Sequence, residues 1–275
     1  YVPDIYIGGA TTPTTSFKPM GFLDPLKPLL VMPEVTDPKV WFGGGLPYSD
    51  KEKQYVACPV LTAANNYLSM NTDLVKAGEV KAYKDLLNPK WKGKIIMNDP
   101  TIAGAGSRWF AVVADQFTGL DYMRSLVKQE PVITRDQRLQ VESLARGKYA
   151  IAIGIQPDIQ AEFIKNGAPI KTIIPAEGTW LGGGPGLIAY FNRAPHPNAT
   201  KVFINWFLSK EGQTLYSTTA NAESARLDVP VDHINKEDRR EPGVKYFLSE
   251  TEDFLIKKTE YENKWAKEIF SSLTK

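Results

Sequence analysis

The chain has 275 residues, of which 43% are hydrophobic and 23% are charged, and its formal net charge is +2. These values are ordinary for a globular protein, and the small, scattered positive charge excludes a nucleic-acid-binding role. The single cysteine, Cys58, excludes an internal disulfide bond and a CxxC metal or redox site. Because Cys58 lies in the apolar run YVACPVL, the sequence predicts a buried, inert thiol. No apolar stretch approaches the roughly twenty residues that a bilayer-spanning helix needs.

The predicted elements alternate between strands and helices in the middle of the chain. A mostly parallel sheet within an α/β unit is expected from this alternation. Asp136 is predicted to cap one helix, and Gly147 to end it. In chain order, the predicted elements are a strand at 4–9, a helix at 23–30, an extended segment at 55–75, a helix at 81–93 that Asn88-Pro89 stops, a strand at 95–97, helices at 109–117 and 119–129, a strand at 131–134, a helix at 136–147, a strand at 149–154, a helix at 156–167, a strand at 169–175, a glycine loop and strand at 178–191, two helices at 196–219, and a helix at 251–273.

Four turns rich in glycine or hydroxyl residues follow or adjoin these strands, at 8–16, 98–108, 154–158 and 181–186. In an open α/β sheet, ligands bind outside the carboxyl ends of the strands, so these turns could converge on one polar site. The alternative is that each turn contains Gly, Pro, Asn and Asp only for their backbone dihedrals. The chain has two histidines, and it has no nucleophile-elbow, zinc-protease or P-loop motif. The presence of four such turns in a sequence that has no catalytic motif favours a binding protein over an enzyme.

The turn at 98–108 leads into a helix, and a helix N-terminus attracts anions. Small residues there would let a ligand approach the backbone. Gly106 and Ser107 would offer N–H and hydroxyl donors, and Arg108 would add a bidentate contact. In the alternative interpretation the turn is only a turn, and Arg108 is a solvent-facing helix residue.

The order of these segments resembles the extracellular solute-binding proteins of ABC transporters, in the type 2 periplasmic-binding-protein branch that includes ferric-iron receptors. The most specific stretch is APHPNATKVFINWFLSKEGQ, at 194–213. The segments that carry the resemblance are 4–9, 21–38, 67–100, 145–154 and 184–216.

The resemblance implies an α/β, two-lobed periplasmic-binding-protein-like fold with an interlobe cleft that closes by a hinge motion. The first lobe would consist of residues 1–64 and 183–275, and the second of residues 65–182. The crossings would lie near 62–67 and 180–185. The abrupt start on a strand leads us to expect that the first lobe lacks its N-terminal βα units in this chain.

The implied function is that of a solute-binding receptor of a bacterial ABC importer. It would capture a small anionic or polar solute and deliver it to a membrane permease, without catalysis and without a cofactor. The expected location is periplasmic or extracytoplasmic, with a lipid anchor before Tyr1 as one option, and the expected state is a monomer. The alternatives are an α/β enzyme acting on a small phosphorylated substrate, and a sensor or interaction module with a fused partner domain.

A ferric-iron site is not expected, although the resemblance includes ferric receptors. Those proteins typically carry adjacent tyrosines after the strand that matches AIAIG, whereas this chain has IQPDIQ there and no Tyr-Tyr pair anywhere. Ferric iron prefers anionic oxygen ligands, of which this segment supplies one, in Asp158. The sequence therefore predicts neither a tyrosine-based ferric site nor another metal site.

The predicted ligand-binding residues are taken from both lobes and from the crossings between them. Trp180 would stack on a ligand or fill the hinge, and Asp158 would face the ligand or complement a helix dipole. The full predicted set is Gly9, Thr11, Thr12, Asn65, Asn66, Tyr67, Thr101, Gly104, Gly106, Ser107, Arg108, Gln156, Asp158, Trp180, Gly183 and Gly184.

Overall fold

The computed structural model describes residues 3–155, 157–184, 186–234 and 236–273, and of Asn66, Pro157, Asp158 and Glu237 it describes the backbone alone. The strands are β1 (Ile5–Gly8), β2 (Leu23–Asp24), β3 (Val56–Ala57), β4 (Thr62–Ala63), β5 (Leu68–Asn71), β6 (Ile95–Asn98), β7 (Val132–Thr134), β8 (Ile151–Ile153), β9 (Ile170–Thr172), β10 (Thr179–Gly182), β11 (Leu187–Phe191) and β12 (Tyr246–Leu248).

The α-helices are α1 (Pro33–Thr36), α2 (Ala105–Val112), α3 (Leu120–Val127), α4 (Gln137–Ala145), α5 (Pro157–Lys165), α6 (Pro197–Leu208), α7 (Lys210–Ala220), α8 (Glu252–Glu260) and α9 (Ala266–Phe270). Tighter and wider turns connect them. The 3₁₀ turns are Lys27–Leu29, Pro38–Val40, Asn65–Tyr67, Tyr83–Leu87, Pro89–Trp91 and Lys236–Asp238, and the π-helical turns are Pro13–Phe17, Val113–Thr118 and Tyr261–Trp265.

The chain divides into two compact units. The first unit contains Tyr1–Ala63, Leu181–Arg240 and Leu248–Ile256, and the second contains Ala64–Trp180, Glu241–Phe247 and Lys257–Lys275. After residue 240 the chain alternates between the units, with Glu241–Phe247 and Lys257–Lys275 in the second and Leu248–Ile256 in the first. The lobes expected from the sequence, which placed all of 183–275 in the first lobe, stay a prediction.

The first unit is built around β11, a buried run of apolar residues. β1, β2 and β3 each pair with β11 in antiparallel fashion, with Gly8 opposite Leu187. Helix α6 is fixed beside them through Asn205, whose amide accepts from the backbone N–H groups of Val31 and Met32. A separate sheet has the strand order β12-β10-β4.

The second unit contains a sheet with the order β7-β6-β8-β5-β9. Strand β6 is parallel to both of its neighbours, and β5 is antiparallel to both β8 and β9. Four of these strands therefore share one direction, and β5 runs against them. The predicted mostly parallel sheet is confirmed with this one exception. β5 reaches the sheet directly from the Asn65–Tyr67 turn, without the helical crossover that a parallel neighbour needs.

Helices α4 and α5 cover one face of this sheet. Ile96 of β6 and Ala152 of β8 share a buried cluster with Val141 and Leu144 of α4, and Phe163 of α5 packs against it. Because side chains alternate along a strand, Ile95 and Met97 point to the opposite face, and both are fully buried. Asp136 accepts a hydrogen bond from the N–H of Leu139 at 2.9 Å, which confirms the predicted N-cap of α4.

Two predicted helices are wrong. Segment 81–93 forms the 3₁₀ turns Tyr83–Leu87 and Pro89–Trp91 instead of a regular helix. The predicted stop at Asn88-Pro89 is present, because Pro89 lacks an N–H group and holds Asn88 in an extended conformation. Segment 23–30 begins as strand β2, paired with β11, and continues as the 3₁₀ turn Lys27–Leu29. Pro25 and Pro28 interrupt this segment, so a regular helix cannot form there.

Candidate functional site

In the first unit, two predicted glycine turns meet at one end of the sheet. Strand β1 ends at Gly8, and because β11 runs antiparallel to it, the turn that precedes Leu187 lies at the same end. A Cβ atom built on Gly9 would lie 3.9 Å from the carbonyl oxygen of Gly184. We call Gly8–Thr12 together with Gly183, Gly184, Gly186 and Leu187 the first-unit edge.

The threonines of the first-unit edge differ in exposure. Thr12 is exposed, whereas Thr11 is half-buried, and the carbonyl oxygen of Thr11 accepts a hydrogen bond from the Thr15 hydroxyl at 2.8 Å. Thr12 is therefore accessible to a small polar ligand. Gly184 is exposed and has a φ of +51°, a conformation that favours glycine.

A buried carboxylate accepts a hydrogen bond from the backbone of this edge. Glu250, 2% exposed, accepts a hydrogen bond from the N–H of Gly183 at 3.2 Å and another from the Ser249 hydroxyl at 3.3 Å. The sequence analysis missed Glu250, because it lies far along the chain in the acidic segment SETED and no motif surrounds it.

In the second unit, the carboxyl ends of β6, β7 and β8 lie side by side. Asn98 pairs with Thr134, and Met97 pairs with Ile153. The start of β5 joins them, since the N–H of Gly154 donates to the carbonyl oxygen of Tyr67 at 2.7 Å. The second-unit edge consists of Tyr67, Asn98–Arg108, Arg135–Gln137 and Gly154. Six of the predicted binding residues thus share one edge: Tyr67, Thr101, Gly104, Gly106, Ser107 and Arg108.

Close backbone packing explains the glycines of this edge. A Cβ atom on Gly106 would lie 2.2 Å from the carbonyl oxygen of Asn98 and 2.8 Å from that of Asp99. Gly154 has a φ of +76°, and its Cβ would lie 3.1 Å from the Cα atom of Gly106. Gly106 therefore lets α2 begin directly on the end of β6, a role that differs from the predicted one of admitting a ligand to the backbone.

The Ser107 hydroxyl is occupied within its own unit. It accepts from the N–H of Gly104 at 3.1 Å and is hydrogen-bonded to the Gly104 carbonyl oxygen and to Oε1 of Glu262 at 3.1 Å. The residue is fully buried. These contacts give Ser107 a role in capping α2 and in holding the C-terminal segment, so a ligand would have to displace them before it could use this hydroxyl.

Arg108 and Thr101 lie in the first turn of α2 and in the loop that precedes it. The N–H of Arg108 donates to the carbonyl oxygen of Gly104 at 3.1 Å, and its side chain is half-buried. The Thr101 hydroxyl donates inward to Oδ1 of Asp99 at 2.6 Å. Thr101 therefore stabilises the loop, while Gly104 beside it is exposed.

Two further predicted residues of the second unit, Trp180 and Asn65, lie in its interior. Trp180 is 1% exposed, and its ring meets that of Tyr67 edge-on at 4.7 Å between centroids. Trp180 therefore packs in the interior of the unit, and its two predicted roles at the hinge stay predictions. Asn65 is also buried, and its Oδ1 accepts from the Tyr246 hydroxyl at 3.4 Å. Gln156 and the side chains of Asn66 and Asp158 lie outside the described residues.

The sequence analysis also missed a pair at the second-unit edge. Arg135 follows β7, Asp99 follows β6, and Nε of Arg135 donates to Oδ2 of Asp99 at 2.9 Å. Burial raises the pKa of Asp99, but hydrogen bonds from Thr101 and Arg135 outweigh it and hold this pKa below its ordinary value of 3.8. Arg135 directly follows the predicted strand at 131–134, so the rule that ligands bind outside the carboxyl ends of strands would have selected it.

Neither histidine is arranged for catalysis. Ser217 lies 2.9 Å from Nε2 of His233, but the Ser217 hydroxyl is buried and donates to the carbonyl oxygen of Ala222. His196 precedes α6 and contacts the Asp4 carboxylate at an exposed site. Across the described residues, no group of three His, Cys, Asp or Glu side chains could hold a metal ion. The helices in the described part of the chain also include none that is long and apolar enough to span a bilayer.

Comparison with solved structures shows the fold. The periplasmic binding protein AfuA from Actinobacillus pleuropneumoniae, with exogenous fructose-6-phosphate bound, is 21% identical, with a TM-score of 0.68; the match covers 97% of this chain and 82% of that protein. A crystal structure of an ABC transporter from Clostridium perfringens is 16% identical, with a TM-score of 0.74; this match covers 100% of this chain and 84% of that one. The α/β architecture is therefore shared with periplasmic binding proteins.

Sequence comparison shows the family. An uncharacterized protein of Haemophilus influenzae is 31% identical over 140 residues, which are 49% of this chain and 39% of the relative's length. The sequence profile of the bacterial extracellular solute-binding proteins matches residues 9–238, a range that includes the second-unit edge and all of the first-unit edge except Gly8. The chain belongs to the family of bacterial extracellular solute-binding proteins.

Proposed function

We propose that this chain is the receptor of a bacterial ABC importer, which captures a small anionic or polar solute outside the cytoplasmic membrane and delivers it to a membrane permease. The observation that carries the proposal is the match of the solute-binding family over residues 9–238. The geometry supports it, because each unit gathers glycine turns and polar groups at one edge of a sheet, where α/β proteins bind ligands. The exposed Thr12 and Gly184 of the first unit offer accessible polar groups.

The proposed activity is binding without turnover. An α/β enzyme that acts on a small phosphorylated substrate has no support from the family. The contact between Ser217 and His233 also argues against hydrolysis, since the hydroxyl is buried and already donates its proton to a carbonyl oxygen. A serine nucleophile needs an accessible hydroxyl that is hydrogen-bonded to its base.

Phosphorylated sugars are the first solutes to consider. AfuA holds fructose-6-phosphate, and such a ligand combines an anionic group with several hydroxyl groups. A tyrosine-based ferric site is not proposed, because IQPDIQ takes the place of the tyrosine pair and the chain has no adjacent tyrosines. The monomeric state, a lipid anchor and hinge closure stay predictions.

The test is native mass spectrometry of the purified protein, followed by a thermal-shift panel and calorimetry. The panel contains inorganic phosphate, sulfate, fructose-6-phosphate, fructose, citrate and ferric citrate. We expect at least one anion or polar solute to raise the melting temperature, since a ligand at a hundred times its Kd stabilises the folded state by about 2.7 kcal/mol. Ferric citrate should produce no visible phenolate-to-iron absorption.

A control separates binding from catalysis. The bound compound is recovered after prolonged incubation, and released inorganic phosphate is measured. Intact ligand supports the receptor, whereas repeated turnover would support the enzyme alternative. If no compound of the panel binds and no ligand is carried through purification, the proposed anionic or polar solute is wrong.

A further inference from the structure

The strongest unassigned group at the second-unit edge is the pair of Arg135 and Asp99. The two residues follow neighbouring parallel strands, since Asn98 of β6 pairs with Thr134 of β7. They lie 36 positions apart in the sequence, and Nε of Arg135 donates to Oδ2 of Asp99 at 2.9 Å. The N–H of Asp99 also donates to the carbonyl oxygen of Thr134 at 2.9 Å, which fixes the two strand ends together.

The Asp99 carboxylate is a rigid support for the arginine. Its side chain is 2% exposed, and its Oδ1 accepts from both the N–H and the hydroxyl of Thr101, at 2.9 and 2.6 Å. Oδ2 is therefore held in a fixed position for Arg135. A buried carboxylate with these donors is ionised at neutral pH. The guanidinium is therefore oriented by a negatively charged group whose rotation the Thr101 hydrogen bonds restrict.

Arg135 uses only one edge of its guanidinium for this contact. Its side chain is 68% exposed, and within the described parts of the chain Nε makes the one hydrogen bond that the side chain forms, so that Nη1 and Nη2 have no protein acceptor. Arg138 provides the contrast on the same stretch of chain. It is 65% exposed, and both of its Nη atoms donate to Glu162, at 3.2 and 3.4 Å.

We infer that Arg135, oriented by Asp99, binds an oxyanion group of the solute at the second-unit edge, with a phosphate ester as the class to test. This inference rests on the proposed receptor function and specifies which group of the solute the second unit recognises. The planar guanidinium offers parallel N–H donors that match two oxygens of a phosphate. Because Asp99 already fixes the arginine, less rotamer freedom is lost when the anion binds.

The experiment compares fructose-6-phosphate, inorganic phosphate and fructose by calorimetry with the parent protein and matched variants. Arg135→Ala should weaken the binding of both phosphate compounds by about ten- to a hundredfold, the loss typical of a hydrogen bond to a charged group. The affinity of Arg135→Lys for the phosphate compounds should lie between that of the parent and that of Arg135→Ala, because lysine keeps the charge and loses the paired donors. Arg138→Ala removes the same charge three residues away and should leave all affinities unchanged.

Asp99→Asn tests the positioning role separately. This variant keeps the size of the side chain, and it should lower the ratio of fructose-6-phosphate affinity to fructose affinity while Arg135 remains charged. A change in stability alone would lower both affinities together. Melting temperatures and circular dichroism of the unliganded variants show which of them are folded and fit for comparison.

The outcomes separate this inference from the proposed function. If fructose-6-phosphate binds the Arg135→Ala and Arg135→Lys variants as tightly as the parent, the inference is overturned and the receptor function stands. The inference is also overturned, and the receptor function stands, if the parent binds fructose but neither of the two phosphate compounds. If the parent binds no compound of the panel and no ligand is carried through purification, the proposed anionic or polar solute is wrong and the inference fails with it.

Discussion

At the scale of single residues, Cys58 shows how burial sets chemistry. The thiol is fully buried, and the nearest acceptor of its proton is the carbonyl oxygen of Val56 at 3.9 Å. Burial raises the pKa of the thiol well above its ordinary value, and the negative charges of Glu250 and Asp50 raise it further. The thiolate, which is the reactive form, is therefore disfavoured at neutral pH. The predicted burial of the thiol is confirmed, and its inertness stays a prediction.

We expect the native protein to resist alkylation at Cys58. With iodoacetamide at pH 8, labelling of the folded protein should be slower than that of the guanidinium-unfolded protein by a factor on the order of a hundred or more, because the thiol reacts only after the fold opens. The raised pKa of the thiol also slows labelling of the folded protein, since a higher pH is needed to form the thiolate. Intact-mass spectrometry against time measures both rates, and equal rates would show that the thiol is accessible.

At the scale of elements, the junction of β6 and α2 depends on one small residue. α2 begins at Ala105, and Gly106 lies so close to the end of β6 that a Cβ atom would overlap backbone atoms of Asn98 and Asp99. Backbone atoms cannot move aside as a flexible side chain can. The glycine therefore sets the approach of the helix to the sheet, and with it the positions of Asp99 and the Thr101 loop.

Gly106→Ala should destabilise the protein. Overpacking in a tight interior costs about 1–3 kcal/mol, and the 2.2 Å approach to the Asn98 carbonyl oxygen places this site at the upper end of that range. The free energy of unfolding in denaturant measures the change. Gly45→Ala is the matched control, because a Cβ atom there meets nothing within 4 Å, and it should be neutral or slightly stabilising. Equal stability of the two variants would contradict this account.

At the scale of the whole molecule, the C-terminal segment completes the core of the second unit. Phe110 of α2 packs edge-on against Phe270 at 5.8 Å and against Tyr261 at 6.2 Å between ring centroids. Glu262 accepts from Ser107, and Glu268 contacts Arg124. These contacts explain why Lys257–Lys275 belongs to the second unit, although the sequence analysis placed it in the first lobe.

Phe270→Ala should remove a large part of that packing. The side chain is 0% exposed, and truncation of a buried phenylalanine to alanine typically costs about 3–5 kcal/mol. Equilibrium unfolding monitored by tryptophan fluorescence gives the free energy of unfolding. Phe22→Ala, at a site that is 48% exposed, serves as the control and should cost much less. A loss for Phe270→Ala no larger than that of the control would show that the segment is not part of the core.

The periodicity of the C-terminal segment was predictable only in part. A helical period of 3.6 residues predicts one apolar face for Phe254, Tyr261, Trp265, Ile269 and Leu273. Of these, Phe254 and Ile269 are buried, but Phe270 and Ala266 are buried as well. The π-helical turn Tyr261–Trp265 separates α8 from α9. A π turn takes up more residues than an α turn, so it rotates the apolar face by about one position, and a fixed period of 3.6 residues does not follow that shift.

By itself, the sequence determined the order of the elements, the α/β class and the gathering of turns at strand ends. These features follow from local rules: apolar runs such as Ile95–Met97, the Asp136 cap, and glycine stops. The tertiary structure alone decided which polar groups are already occupied. Ser107 meets Glu262 across 155 positions, and Arg135 meets Asp99 across 36. Contacts of that separation depend on how elements pack, and no local pattern of residues encodes them.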